Sequence, residues 1–291
     1  MALIVDAAIT GIFTGGIYAL MASGLTLIFG VMDIINVGQG ALVILGAYLS
    51  YYLQRNYHID LFVGLIITMP VMFLIGLFLE WAFIRPLKHD RTTLSILVTF
   101  AISLILEGLL GLAFTNNVVQ SKAWYITASF KIGEYYLAYV YVFGFILSVV
   151  LLSALYFVLY RTKFGFSLQA SMQDRTAAQL IGIDVEKVST ITFGIGVALA
   201  AAGGMAYGAT YAFNPGSLYD LISRLLVIII FGGMGSLRGA LIASLGMLVI
   251  EDITAVVWSP VWATTVFFTL LIVVMIVRPQ GLFGRLEGRK Q

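Results

Sequence analysis

Apolar residues run almost unbroken over 8–29, 38–53, 61–84, 93–114, 137–159, 188–212, 221–231, 239–257 and 261–277, with charged or Gly/Pro-rich breaks between the runs. Most of these stretches hold about the 20 residues that a helix needs to cross a bilayer, and none has the short alternating segments of a β-barrel. The pattern predicts an all-α polytopic membrane protein. The seventh run is too short for a hydrocarbon core of about 30 Å at about 1.5 Å per residue, so it is either a half-helix or a span begun at Pro215. The expected count is eight or nine transmembrane helices. No Lys/Arg cluster precedes the first run, which also outlasts a signal core, so it reads as a retained span.

Composition agrees. Of the 291 residues 61% are hydrophobic and 10% charged, against about a quarter charged in soluble domains, so a water-soluble fold is excluded. The 30 glycines suit helices that approach closely. A net charge of +2 offers no basic field for nucleic acid. With no cysteine and only His58 and His89, no disulfide, thiolate nucleophile or His-rich metal site can form. There is no Gly-x-x-x-x-Gly-Lys-Ser/Thr run to cradle ATP and no His-Glu-x-x-His. The chain is expected to be neither an enzyme nor the holder of a metal or cofactor.

The charges orient the chain. Arg85, Lys88 and Arg91, then Arg161, Lys163, Arg175 and Lys187, then Arg238, then Arg278, Arg285, Arg289 and Lys290 fall in alternate breaks and in the tail. They are expected to face the cytoplasm, with Arg55, Lys122, Lys131 and Arg224 on the other side. The N-terminus is then outside and the C-terminus inside. Residues 115–137 become the largest external loop, with Trp124, Tyr125, Tyr135 and Tyr136 as interfacial anchors.

An internal repeat emerges within the single domain 1–291. Ile28-Phe29-Gly30-Val31-Met32 returns as Ile230-Phe231-Gly232-Gly233-Met234, Gly40-Ala41-Leu42 as Gly239-Ala240-Leu241, and Arg85-Pro86 as Arg278-Pro279. Both copies, 8–92 and 215–284, run in the same orientation. Paired Gly-rich interruptions in two halves point to a transport pathway. The alternative is that these glycines serve packing alone.

The first interruption, 33–40, brings Asn36, Gln39 and Gly40 to a stretch whose backbone must find partners outside a helix. At membrane depth that is tolerated only inside protein or along a wet cavity, so these residues are pathway candidates. The plainer reading is an interfacial turn with Asp33 solvated. Gly232, Gly233 and Gly235 form the second, backbone-dominated interruption. Gly235 and Gly239 form a Gly-x-x-x-Gly pair, and Gly11 with Gly15 and Gly204 with Gly208 read as packing pairs. Glu107 lies inside an apolar run, as a pathway acid or as a neutral acid making one interhelical hydrogen bond. Glu251 and Asp252 read as snorkelling from the end of their run. The segment 161–187 is long and polar. Ser167–Ile181 has helical composition, with Gly182 as its stop and Asp184 as cap for the next span, and such a helix suits docking on a partner or resting on the membrane.

Four segments carry a resemblance across nearly the whole chain: Gly30-Val31-Met32-Asp33-Ile34-Ile35-Asn36 with Gly40, the stretch Asp174 to Ile183, Phe231-Gly232-Gly233-Met234-Gly235-Ser236 with Gly239-Ala240, and Arg278-Pro279-Gln280-Gly281-Leu282-Phe283-Gly284. In this order they resemble the LivH-type permeases of branched-chain amino-acid ABC importers. The resemblance implies a bacterial inner-membrane subunit paired with a LivM-like permease, two cytoplasmic ATPases that bind ATP-Mg, and an extracytoplasmic solute-binding protein. It also implies that Ala177, Ala178 and Gly182 match the Ala-Ala-x-x-x-Gly ending of a helix that docks into the ATPase, with Asp174 and Arg175 as charged contacts at its rim. The chain departs from the family's usual Ile-Asn-Phe-Ala-His-Gly-Glu at Ile35–Ala41, and has Glu107 where the family tends to carry Gln. Urea, short amides and aromatic acids therefore stand beside branched-chain amino acids as expected solutes. The rival expectations are a proton-coupled secondary transporter using Glu107 and a scaffold whose glycines only pack.

Overall fold

In the computed structural model, which describes residues 2–87, 90–132 and 135–284, each apolar run becomes a helix. Nine long helices occur among the described residues: α1 (Ala2–Met32), α2 (Gln39–Tyr57), α3 (Leu61–Leu79), α4 (Arg91–Phe114), α6 (Tyr139–Arg161), α9 (Val185–Thr210), α10 (Leu218–Gly232), α11 (Leu237–Val257) and α12 (Pro260–Val277). Short elements complete the chain: α5 (Trp124–Thr127), an antiparallel hairpin of β1 (Ser129–Ile132) and β2 (Tyr135–Ala138), α7 (Lys163–Gln173) and α8 (Arg175–Leu180). Eight of the long helices are apolar enough to cross a membrane by themselves, and α10 reaches that length by starting at the 3-10 turn Pro215–Ser217. The ninth, α2, carries Ser50, Gln54 and Arg55 and is sheltered among α3, α4, α9 and α10.

Helices α1 and α9 form the buried centre. Lipid tails are as apolar as leucine, so close van der Waals packing has to hold such a bundle, and small residues permit it. Gly11 and Gly15 of α1 lie against the backbone of α11, where an added Cβ would stand 2.6 Å from Val249 Cα and 2.9 Å from Leu245 Cα. Gly204 of α9 lies equally close to Val43 of α2. The helix before each interruption packs on the helix after the other, α1 on α11 and α10 on α2. In contrast α4, α6 and α12 expose long apolar faces, as in Leu97, Ile105, Leu112, Phe157 and Ile276.

One end of the bundle gathers the close of α1, the starts of α4, α9 and α11, and α7–α8. There Thr92 Oγ1 donates to Asp33 O, Arg85 pairs with Glu186, and Thr190 Oγ1 donates to the buried Glu80 carboxylate at 2.6 Å. The opposite end is aromatic. Tyr125, expected as an interfacial anchor, is buried against Phe62 and Phe143 and donates to Asp60 Oδ2 at 3.1 Å, while Trp124 is exposed. Burial and the Asp60 carboxylate push the Tyr125 hydroxyl up from its ordinary value. Lys88, His89, Arg285, Arg289 and Lys290, and the side chains of Tyr135 and Tyr136, lie outside the described residues.

Three expectations are corrected. Arg224, counted with the basic residues of the outer side, does not mark a side of the membrane: it sits within α10, half-buried, bonded to Glu251 of α11 and at 3.0 Å to Asp220. Glu251 does not snorkel but is 7% exposed and engages that arginine. Ser167–Ile181 is not one helix, because the Asp174 carboxylate accepts from Thr176 N and Ala177 N and so ends α7 and caps α8. Gly182 (φ 88°) is the expected stop, and Asp184 accepts from Lys187 N as the cap of α9.

Candidate functional site

The first interruption lies at depth rather than at the interface. Gln39 Nε2 donates to Gly196 O at 3.3 Å; Gly196 is eleven residues into α9, about 16 Å from its start. Val37 N donates to Thr99 Oγ1 at 3.1 Å, eight residues and about 12 Å into α4. Helix α2 thus begins near mid-membrane. Gly40 meets Leu218 and Ile222 there, so α10 begins at the same depth and runs the other way. Two helix N-termini, each a locus of partial positive charge, converge within the bundle.

Asn36 and Gln39 are buried at 1% and 0% exposure. Asn36 Nδ2 donates to Gln39 Oε1 at 3.1 Å, so each amide is partnered within the protein. The structure therefore brings Asn36, Gln39 and Gly40 together as a satisfied joint between α2, α4, α9 and α10. It does not join them to Gly232, Gly233 and Gly235. Gly24 of α1 faces Gln39 while Gly30 faces Gly235, and six residues of helix put the second interruption about 9 Å further toward the basic end. There the C-terminal segment pins it: Leu282 N donates to Phe231 O at 2.8 Å and Phe283 N to Gly232 O at 3.1 Å. Gly233 takes φ 98° against Gly284, a conformation that leaves no room for a side chain.

Glu107 stands on α4 eight residues beyond Thr99, half-buried, with Tyr219 OH of α10 donating to its Oε2 at 2.6 Å. It is the end of a polar stripe that the sequence reading missed. Ser95, Thr99, Ser103 and Glu107 recur every fourth residue, which on a helix places them on one face, and the first three are buried. The period was available in the sequence, where these four and Thr93 are the polar residues of the run 93–114.

At the basic end α8 projects from the bundle. Ala178 is 2% exposed and serves internal packing, whereas Ala177 and Gly182 are exposed and Leu180 and Ile181 stand out at 84% and 75%. Leu180 and Ile181, read from the sequence only as apolar members of the helical stretch 167–181, form its exposed tip. Asp174 and Arg175 sit at its base, the former occupied as cap. Hydrogen bonds from the Lys187 side chain and backbone hold the Asp184 carboxyl below the usual carboxylate range, so this cap is lost only as pH falls through that lowered value.

The whole architecture has recorded relatives. The family described as "Branched-chain amino acid transport system / permease component" matches residues 7–276. The high-affinity branched-chain amino acid transport system permease protein LivH of Salmonella typhimurium is 27% identical, over 96% of this chain and 95% of its own. BraD of Pseudomonas aeruginosa, a permease protein of a system of the same description, is 25% identical over 97% and 96%. The LivM permease protein of Escherichia coli is 23% identical, over 91% of this chain and 67% of its own. No solved structure matches.

Proposed function

The chain belongs to the family of branched-chain amino acid transport system permease components, and on that footing we propose that it is the membrane-spanning subunit of an ATP-driven importer of branched-chain amino acids or closely related small solutes. Its partners in this reading are a LivM-like permease, two cytoplasmic ATPases that carry ATP-Mg, and an extracytoplasmic binding protein. The likeness to LivM as well as LivH suits a pair of homologous permeases. The basic end faces the cytoplasm, with the N-terminus outside and the C-terminus inside.

The observation that carries the reading is the projecting α8. An apolar pair left in water on a capped six-residue helix has a purpose if an ATPase groove receives it, with Ala177 and Gly182 allowing close approach. Helix α7 joins this tip to the bundle, its Met172 against Gly30 of α1, next to the second interruption. Closure of the ATPases on ATP moves α8 and biases the bundle between two conformations, and that differential is what drives solute inward. A proton-coupled carrier gives α8 no role.

Co-purification of the tagged chain from its native membrane tests this. Recovery of two P-loop ATPases and a second permease is expected. Recovery of the chain alone, competent in gradient-driven uptake, refutes it.

A further inference from the structure

The end of the bundle opposite α8 holds a cavity of about 630 Å³ that the coupling role of α8 leaves unused; Tyr51, Arg55, His58, Asp60, Lys122 and Trp124 line it. Its rim is tied down on two sides. Gln54 Nε2 donates to Lys122 O at 2.7 Å and Lys122 N donates to Gln54 Oε1 at 3.0 Å, while Ser121 N donates to Gly208 O at 3.2 Å, so the segment that carries Lys122 and Trp124 is fixed to both α2 and α9. The charges inside do not balance. Asp60 is the only carboxylate among the lining residues, and both its oxygens are taken, Oδ1 by Phe62 N at 2.9 Å and Oδ2 by Tyr125 OH at 3.1 Å. Arg55 reaches only the Tyr51 hydroxyl, at 3.4 Å, and stands 6.0 Å from the centre of that ring. Among the described residues no carboxylate pairs with Arg55 or Lys122, the ion pairs there being held by Arg85, Lys187 and Arg224.

The cavity opens to water rather than to lipid. Ala47, Tyr51 and Arg55 recur every fourth residue and share a face of α2. Ala47 lies against Gly204 and Gly208 of α9, inside the bundle, and α9 stops at Thr210, so one turn further on this face looks out of the bundle's end. The lipid side of the same helix is that of Leu49, Leu53 and Tyr57, which line a separate apolar cavity with the exposed Ile67 and Val71 of α3. A lipid headgroup would need its chains on that other face; a soluble protein arriving from the aqueous side would not. We propose that the cavity is a socket for an acidic loop of the extracytoplasmic binding protein, with the loop's carboxylates paired to Arg55 and Lys122 and its flank laid on Tyr51 and Trp124; this rests on the transport reading and orientation above. Arginine, tyrosine and tryptophan are the residue types that carry most of the energy at the centre of protein interfaces. Lys122 adds the longer-range attraction that speeds encounter.

The complete transporter in nanodiscs is titrated with its cognate binding protein at low and at high ionic strength. Arg55→Ala is expected to raise Kd about tenfold, the scale of one interfacial hot spot. Arg55→Glu combined with Lys122→Glu should raise it further, chiefly through slower association, while the complex keeps its subunits and its melting temperature. Wild-type affinity should fall with salt and that of the double variant should not. Among single acid-to-lysine variants of the binding protein, one is expected to restore part of the affinity for Arg55→Glu. A double variant that binds as tightly as wild type overturns the socket and leaves transport standing. A loss seen only in nanodiscs that contain phosphatidylglycerol, and not in those of neutral lipid, assigns the cavity to a lipid headgroup and overturns the socket as well. If the double variant sheds the second permease, the cavity belongs to the contact between permeases and the proposal fails. A wild-type chain that neither assembles with ATPases nor binds the protein removes the transport reading and this inference with it.

Discussion

Gly40 marks how little room there is where two helices begin at the same depth. A Cβ there would stand 3.0 Å from Ile222 Cβ and closer still to Leu218 O. Gly40→Val should force α10 away from α2 and lower stability by about 1–3 kcal/mol, read as a fall in melting temperature in detergent. Gly246, with nothing within 4 Å, is the control, and Gly246→Ala should be neutral or slightly stabilising. Arg224 and Glu251 pose the opposite problem, two charges held inside the bundle. Arg224→Met leaves Glu251 buried without its cation and should cost about 3 kcal/mol or more, while Arg224→Met with Glu251→Leu should regain much of that loss. A double mutant as unstable as the single would show that the pair is not what matters. Local signals such as Gly182 and Asp184 were legible in the sequence because their partners lie within four residues. The Arg224–Glu251 pair was not, because its members belong to different helices and only the tertiary fold brings them together.

At the scale of elements, composition identified a helical segment between two spans but not its division. Asp174 has two uses in a sequence, as a surface charge or as a cap, and only backbone geometry selects the second. On the docking proposal the surface offered to the ATPase is then Leu180 and Ile181, which are exposed, while Ala178 packs inward. Burying each of these chains is worth about 1.5–3 kcal/mol. Leu180→Glu is therefore expected to abolish solute-stimulated ATP hydrolysis and loosen the ATPases on co-purification by about tenfold or more, without a change in melting temperature of the permease. Unchanged coupling would remove α8 as the lever. The same scale holds the α4 stripe, whose period of four was present in the sequence yet masked by the apolar residues between, each hydroxyl too weakly polar to interrupt the run.

For the whole molecule, the length and apolarity of the runs were enough to foresee eight or nine helices, because crossing a bilayer is a requirement each segment meets alone. The depth of the first interruption was not legible, since it depends on how far α2 is shifted along α9, a relation set by glycine contacts between distant segments. Orientation is the remaining property of this scale. Among the described residues Arg85, Arg91, Arg161, Lys163, Arg175, Lys187, Arg238 and Arg278 gather at one end and Arg55, Lys122 and Lys131 at the other. With Arg224 removed from the outer count by its place in α10, the asymmetry is sharper than the sequence alone gave it, and a bias of this kind in short loops sets cytoplasmic sides. The chain has no cysteine, so single thiols report without background. Gln120→Cys, in the loop that follows α4, should react with a membrane-impermeant maleimide in intact cells. Gln173→Cys, at the exposed end of α7, should react only after permeabilisation. The reverse pattern would turn the bundle over, put α8 outside the cell, and leave it nothing to do with ATP.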